Sequence, residues 1–260
     1  MVGSMDIIND NDLFLLEEIV KKNFSAKYKD SFLGIFWTIL RPLLMMILFT
    51  IIFSTVFGRN TAYYPVFFLC GRCIFDFFNS AVNTSMNSIK GNKGILQRTA
   101  APKHIFILGG ILSEFINFLI TVVILIGVMF VTKTPFYLTI MPFSIIPVIS
   151  LSIMVTGLGF MLSIICVYYT DIQHLWGVLS MMIMYASALF YPMEIIPEPF
   201  YDYLILNPMY WYINQFRCFM YQGTIPSTLN MINGFLLALI IFVIGIIIYK
   251  KYEKRVSMKF

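Results

Sequence analysis

The chain has 260 residues, of which 59% are hydrophobic and only 12% are charged, and its formal net charge is +5. Such a composition, with a mean hydropathy of +0.83, leaves too little polar surface to cover a soluble globule. The apolar runs are about 20 residues long and are separated by prolines, glycines and charges, which excludes the roughly 10-residue alternation of an outer-membrane barrel. The sequence therefore predicts an all-α, polytopic membrane protein.

The N-terminal region is predicted to form an amphipathic helix. Residues 1–11 are expected to be a tag remnant and a disordered start. No cleavable signal peptide is expected before the first span, because the N-terminal segment is acidic and amphipathic. Over 12–34, apolar residues recur every three or four positions with charged residues between them. This pattern is typical of a helix lying in the membrane interface with its apolar side toward the acyl chains. A soluble helix docked on a partner protein is the alternative.

Six membrane-spanning helices are predicted to follow. Their ranges are 35–57, 63–88, 105–131, 143–167, 175–191 and 229–249. Prolines and charges interrupt the segment 192–223, and we expect re-entrant helices there, since irregular backbone at membrane depth must be buried in protein or line water. Basic residues concentrate in the N-terminal segment, in the connector 90–104 and in the tail 251–260. The positive-inside rule therefore places both termini in the cytoplasm.

The second predicted span carries two charges. Arg72 and Asp76 are four residues apart, a spacing that lets them pair on one helical face. Because unpaired charges are costly inside a membrane, this face should point to the protein interior or to a cavity. A structural ion pair and a functional one both remain open. Cys70 and Cys73 form a C-x-x-C spacing, but without a thioredoxin-like context we expect all four cysteines to be buried hydrophobic residues.

Motifs for catalysis, metal binding or phosphate binding are not found in the sequence. It contains no phosphate-binding G-x-x-x-x-G-K-[ST] loop, no H-E-x-x-H and no carboxylate cluster with metal-ligand spacing. We therefore expect no catalytic residue, no metal site and no cofactor bound by this chain. A helical bundle with two short cytoplasmic connectors and no motor of its own suits a membrane subunit that a soluble partner drives through those connectors.

Several motifs carry a resemblance to a known family. The run YKDSFLGIFW at 28–37, followed by LRPL at 40–43, resembles the signature of ABC-2 type permeases that export cell-surface polysaccharides such as O-antigen, capsule and teichoic acid. The later runs SEFIN at 113–117, YTDI at 169–172 and LNPM at 206–209 are similar to that family's pattern. The resemblance extends over 13–254.

The resemblance implies a homodimeric permease in the bacterial cytoplasmic (inner) membrane, paired with two copies of a separate ATPase subunit that binds ATP and magnesium. The substrate would be a lipid-linked glycan, and the other partners would be membrane lipids, with no nucleic acid. An ABC-2 exporter of a drug or a lipid, and a membrane-embedded enzyme of lipid-linked glycan metabolism, are the alternatives.

Three groups of site residues follow from the resemblance. Substrate access is expected at Tyr28, Trp37 and Arg41, with ordinary headgroup anchoring as the alternative. The coupling residues facing the ATPase are expected to be Lys93, Ile95, Leu96, Arg98, Lys103 and Asp171. Aromatic rings stack on the C–H faces of sugars, and the candidate translocation path consists of the charged residues Arg72 and Asp76 with the aromatic residues Tyr64, Phe68, Phe75, Tyr191 and Trp211. Packing within the protein, or a belt facing the lipid, is the alternative for the aromatic residues.

Overall fold

The computed structural model describes residues 10–28, 34, 36–53, 63–99, 101–197, 199 and 204–258, and the regular secondary structure of these residues is entirely helical. The helices are α1 (Asp10–Tyr28), α2 (Phe36–Ile51), α3 (Tyr64–Gly91), α4 (Lys93–Arg98), α5 (Lys103–Val131), α6 (Ile145–Tyr168), α7 (Ile172–Tyr185), α8 (Pro208–Arg217) and α9 (Thr228–Met258).

Within the described residues, four helices are long and apolar enough to cross a membrane: α3, α5, α9, and α6 together with the 3₁₀ turn Met141–Ser144 before it. They confirm long apolar helices at the second, third, fourth and sixth predicted spans, with small differences at the ends. The largest difference is at α9, which continues to Met258, so the basic tail predicted from 251 forms its last turns. The length and composition of these helices fit a multi-pass membrane protein.

The first and fifth predicted spans coincide with shorter helices. α2 has 16 residues and α7 has 14, whereas about 20 residues at 1.5 Å each are needed to cross the hydrocarbon core. The prediction over 35–57 lies partly outside the described residues, as does most of 1–11. α7 ends at Tyr185 and not at 191, because the backbone becomes left-handed at Ala188, with φ of 50°. Six spans therefore stay a prediction.

Short helices occupy the described part of the segment between α7 and α9. They are the 3₁₀ turn Met193–Ile195, α8, and the π-helical turn Cys218–Gln222 that continues it. α8 begins at Pro208 because the side chain of Asn207 accepts a hydrogen bond from the Met209 amide at 3.0 Å and so caps the helix. Interrupted helices were predicted here; that they re-enter the membrane stays a prediction.

α3 lies at the centre of the bundle. It packs against α5, α6, α8 and α2. Of the 18-residue apolar stretch of α3, 72% is buried inside the protein, whereas the corresponding value for α9 is 17%. α9 is nevertheless the most apolar of the four long helices. In a soluble protein the most apolar helix is expected to be the most buried one. The opposite order is expected in a bilayer, where the lipid-facing surface must be apolar and the polar residues turn inward.

Glycines allow the closest helix contact, between α6 and α9. A Cβ atom on Gly157 would lie 2.5 Å from the Phe242 Cα and 2.6 Å from the Ile241 carbonyl oxygen. On the facing helix, Gly245 sits directly against the backbone of Gly157. The small residues of the fourth predicted span thus do let another helix approach closely.

The N-terminal helix α1 docks on the chain's own helix α5. Ile19 is buried with Ile105 and Phe106, and its Cγ2 atom occupies the space that a Cβ on Gly109 would fill at 2.6 Å. Phe14, one turn earlier, remains 67% exposed. Part of the apolar face of α1 therefore packs inside the protein, and the interfacial position of the remainder stays a prediction.

Candidate functional site

A cavity of about 370 Å³ lies between α1 and α2 on one side and α3 and α5 on the other. Four residues predicted for two different groups line it together: Trp37 and Arg41, expected at substrate access, and Arg72 and Asp76, expected on the path. Tyr28 ends α1 close by in sequence, but its side chain is outside the described residues. Polar and apolar groups both contribute to the wall, including Lys27, Pro42, Met45, Phe77, Asn79, Ser80, Glu114, Asn117 and Thr121.

The Arg72–Asp76 pair forms as the spacing predicts. Both residues lie on α3, one turn apart, and the Arg72 Nε atom is 2.7 Å from the Asp76 Oδ2 atom. The guanidinium also approaches the Met184 sulfur of α7 at 3.9 Å. Both side chains line the cavity and are partly exposed, so a paired arrangement with access to a cavity makes their charges tolerable at this depth.

A second ion pair in the cavity joins α1 to α5. The Lys27 Nζ atom is 2.9 Å from the Glu114 Oε2 atom. Glu114 is 8% exposed and also accepts hydrogen bonds from the Thr84 hydroxyl at 3.2 Å and the Asn117 amide at 3.0 Å. The sequence signal for this site was an acidic residue inside an apolar run, but the partner is 87 residues away and could not be named.

The charges in the cavity do not balance. Among the described lining residues, Lys27, Arg41 and Arg72 are cationic and Asp76 and Glu114 carry carboxylates, which gives one positive charge in excess. Amide and hydroxyl groups from Asn79, Ser80 and Thr121 supply further donors and acceptors. The arrangement is suited to hold an anionic, hydroxyl-rich group beside an apolar wall, since each of its polar atoms then finds a partner.

The remaining candidate path residues lie elsewhere. Tyr64 is buried and donates a hydrogen bond to the Phe190 carbonyl at 2.8 Å. Phe68 is completely buried and stacks on Phe49 at 5.1 Å, and Phe75 is buried beside Phe78. These three rings pack within the protomer and do not line the cavity. A path role for them stays a prediction that nothing in their packing supports.

Tyr191 and Trp211 occupy the region after α7. The Tyr191 hydroxyl donates to the Tyr185 carbonyl at 2.6 Å, which ties the irregular segment back to the end of α7. The indole nitrogen of Trp211 is buried and has no hydrogen-bond partner within the described part of the chain. Neither residue lines the cavity that holds the Arg72–Asp76 pair.

Arg217, at the end of α8, is the residue that organises this irregular segment. Its guanidinium donates to the carbonyls of Phe67, Ala188 and Leu189 at 3.2, 2.9 and 2.9 Å and stacks on the Phe67 ring at 3.5 Å. The side chain is only 3% exposed. It therefore satisfies the Ala188 and Leu189 carbonyls, which lie beyond the end of α7, and ties this segment to α3 at Phe67, an interaction that the sequence did not indicate.

The predicted coupling residues lie at one end of the bundle. α4 presents Lys93, Ile95 and Arg98 on the surface, and Ile95 is 40% exposed. Leu96, in contrast, packs against the buried cluster formed by α1 and α5. Lys103 begins α5 and is half-buried.

Asp171 reaches the same end of the bundle through the turn between α6 and α7. The Lys90 ammonium, at the end of α3, donates to the Thr170 hydroxyl at 3.4 Å, and the Gln173 amide contacts Asn87. On the other flank, Lys22 of α1 donates to Asn92 at 2.8 Å. The N-terminal helix and both connectors thus share one basic face.

The Lys27–Glu114 pair gives a testable prediction. Lys27→Ala leaves a buried carboxylate with only neutral donors, and we expect a loss of about 2 kcal/mol in the free energy of unfolding, less than for a fully buried pair because Lys27 is 46% exposed. Glu114→Gln should cost a similar amount, and the double variant less than the sum. The unfolding temperatures of the detergent-purified variants measure this.

The matched control for this prediction is on the same helix. Lys21 pairs with Glu17 at 2.8 Å, but both side chains are more than half exposed, so Lys21→Ala should leave the unfolding temperature unchanged. Strictly additive losses for Lys27→Ala and Glu114→Gln would show that the two residues do not act as a pair.

Comparison with known proteins agrees with this architecture. Residues 15–221 match the family described as ABC-2 type transporter. The chain is similar to the O-antigen export system permease protein RfbA of Klebsiella pneumoniae, with 27% identity over 93% of both chains. It is also similar to the polysialic acid transport protein KpsM of Escherichia coli, with 22% identity over 92% of this chain and 93% of that protein.

A further relative is the capsule polysaccharide export inner-membrane protein CtrC of Neisseria meningitidis serogroup A, with 20% identity over 94% of this chain and 91% of that protein. The family match covers most of the chain and includes the N-terminal helix, the charged cavity and the basic connector face. It confirms the resemblance that the sequence motifs carry. This protein belongs to the ABC-2 type transporter family.

Proposed function

We propose that this chain is the membrane-spanning permease subunit of an ABC transporter that exports a lipid-linked cell-surface polysaccharide across the bacterial cytoplasmic membrane. The observation that carries the proposal is the similarity to permeases named for O-antigen, polysialic acid and capsule export, which extends over more than nine-tenths of this chain. The glycan carried, whether O-antigen, capsule or teichoic acid, is a matter for experiment.

The charged cavity supports this proposal. A lipid-linked glycan combines a long hydrocarbon chain, an anionic phosphate linkage and many hydroxyls. The excess positive charge, the amide and hydroxyl groups and the apolar wall of the cavity match these three parts. Trp37 and Arg41 would meet the substrate first, and the Arg72–Asp76 pair would lie deeper along its route.

Energy would come from a separate nucleotide-binding subunit, because the sequence carries no phosphate-binding loop. In this proposal two copies of the chain and two ATPase subunits form the transporter, with six spans in each permease and both termini in the cytoplasm. ATP and magnesium are then bound by the ATPase, whose contact surface is the face formed by α4 and the α6–α7 turn. The chain itself binds no cofactor and no nucleic acid.

Deletion of the gene tests the proposed function. The glycan should still be assembled, but it should remain inside the cell, so a lectin specific for it labels lysed cells and not intact ones. Re-expression of the chain should restore labelling of intact cells. Cells that lack the glycan altogether after deletion would point to an enzyme of glycan assembly and would contradict the proposal.

The coupling face gives a prediction at residue level. Ile95→Asp places a charge on the exposed apolar side chain of α4 and should abolish co-purification with the co-expressed ATPase subunit, because a desolvated carboxylate without a partner costs several kcal/mol. The protein should stay folded, since Ile95 contributes little to the core.

Leu138→Asp is the matched control for Ile95→Asp. Leu138 is also an exposed apolar residue, but it lies between α5 and α6, at the end of the bundle opposite to the connectors. This substitution should leave co-purification intact. If Ile95→Asp retained the ATPase as the wild type does, the coupling role of α4 would be rejected.

A further inference from the structure

A second cavity, separate from the charged one, lies at the basic end of the bundle. It is a groove of about 610 Å³ between the ends of α6 and α9. Both helices run toward this end from their contact at Gly157 and Gly245, and the groove begins at Ile164 on α6 and at Ile247 on α9. Its lining consists of Ile164, Ile165, Tyr168, Tyr169, Ile247, Ile248, Lys251, Tyr252 and Arg255.

The groove has an apolar part and a cationic part. Isoleucines of both helices form its wall, and Ile247 is largely exposed. Lys251 and Arg255 lie one to two turns further along α9, about 5 to 10 Å from the isoleucines. Both cations approach the Tyr252 ring, with the Lys251 Nζ and Arg255 Cζ atoms each 5.6 Å from its centroid.

Among the described residues that line it, the groove holds two cations and no carboxylate. The nearby Glu253 is engaged by the Tyr249 hydroxyl at 2.8 Å. Lys251 and Arg255 are exposed and lie where the apolar stretch of α9 gives way to polar residues. Basic and tyrosine side chains at such a boundary sit at the level of the lipid headgroups.

We propose that this groove binds an anionic phospholipid, with one acyl chain along the isoleucines and the phosphate between Lys251 and Arg255. The occupant is assigned by charge complementarity, since the two cations of the groove match the negative charge of the lipid phosphate. Basic pockets between membrane helices on the cytoplasmic side are suited to anionic headgroups, and the isoleucine wall one turn deeper is where the acyl chain of such a lipid lies. The site belongs to the protein whatever glycan it exports.

The first test is the affinity of the detergent-purified protein for phosphatidylglycerol, measured by native mass spectrometry during a titration. Lys251→Ala/Arg255→Ala should raise the dissociation constant of the tightest-bound phosphatidylglycerol by about 25-fold, since each basic residue near a headgroup contributes roughly a factor of five. Lys250→Ala/Lys254→Ala removes the same charge from a face of α9 rotated by about 100° and should have a far smaller effect. Equal effects of the two double variants would overturn the proposal in favour of general attraction to a basic helix end.

A second variant tests the apolar part without touching a charge. Ile247→Trp fills the groove and should weaken phosphatidylglycerol binding, whereas Ile240→Trp changes an exposed residue of α9 outside the groove and should not. If Ile247→Trp binds the lipid as the wild type does, the acyl chain does not use the groove.

Three further arms distinguish other occupants. Phosphatidylcholine should bind more weakly than phosphatidylglycerol, and equal binding would overturn the anionic specificity. Inorganic phosphate that binds with the same dependence on Lys251 and Arg255 would identify a free-anion site. Loss of dimers in Lys251→Ala/Arg255→Ala, seen by size-exclusion chromatography with light scattering, would assign the groove to a second copy of the chain; either result would refute the lipid site.

Discussion

Arg217→Ala is expected to destabilise the protein strongly, although Arg217 belongs to none of the three predicted groups of site residues. The substitution leaves the carbonyls of Ala188 and Leu189, which lie outside any helix, without their side-chain donor in a water-poor interior, and it removes the stacking on the Phe67 ring. Each unsatisfied carbonyl costs about 1–3 kcal/mol, so the total loss in the free energy of unfolding is on the order of 4 kcal/mol. For a chain of this size that corresponds to a fall of roughly 10 °C in the unfolding temperature.

Arg217→Lys sharpens this prediction. Lysine keeps the positive charge but has no planar fork, so it cannot reach three carbonyls and stack on the Phe67 ring at once. We therefore expect Arg217→Lys to lose most of the stability that Arg217→Ala loses. If charge alone mattered, lysine would restore the wild-type unfolding temperature, and the planar guanidinium would not be what holds the end of α7.

Two measurements check this prediction. One is the unfolding temperature of the detergent-purified protein, and the other is the fraction of that protein that still elutes in size-exclusion chromatography after heating. Arg98→Ala is the control, because Arg98 is exposed on α4 and packs against nothing in the core. Arg98→Ala should have the same unfolding temperature as the wild type. Limited proteolysis adds a local readout: cleavage after α7 should increase in Arg217→Ala before the rest of the chain becomes sensitive.

Gly157→Ala is expected to be the second severe change. The new Cβ would lie 2.5 Å from the Phe242 Cα and 2.6 Å from the Ile241 carbonyl oxygen, and these are backbone atoms that no rotamer change can move away. The two helices must separate along their whole contact, which we expect to cost about 3 kcal/mol, at the upper end of overpacking effects. Gly157→Leu should prevent assembly of the bundle.

Gly127→Ala is the matched control, since Gly127 also lies within a long apolar helix, α5, but has nothing within 4 Å of its Cβ position. Alanine is the better helix former, so this variant should be as stable as the wild type or more so. The comparison separates packing from helix propensity, and equal unfolding temperatures for the two alanine variants would contradict the close contact of α6 with α9.

The cavity illustrates which contacts can be predicted from sequence. The Arg72–Asp76 pair follows from a spacing of four on one helix, which is a local property. The Lys27–Glu114 pair depends on how α1 docks on α5 across 87 residues, and no periodicity encodes that. Tyr64 and Phe68 were expected on the path because they are aromatic, but in the fold their rings fill the space between helices. Residue type alone does not distinguish a packed ring from a lining one.

Helix length shows the same division. The long apolar helices α3, α5, α6 and α9 were predictable because burial of apolar surface in lipid depends on the composition of each run. The early end of α7 was not predictable, because the backbone turns left-handed at Ala188 where hydropathy would continue the helix. This backbone is stabilised by a guanidinium of α8, which donates to the Ala188 and Leu189 carbonyls.

The sequence by itself determined that this is a polytopic helical membrane protein with a basic connector at 90–104. Its motifs pointed to the ABC-2 family that the comparisons confirm. These properties depend on local composition and on short ordered motifs. Only the tertiary structure decided that Trp37 and Arg41 share a cavity with Arg72 and Asp76, that Glu114 joins them, and that Arg217 holds the end of α7. Such contacts arise from the packing of helices that are far apart in the chain, where the burial of one side chain is set by the shape of another.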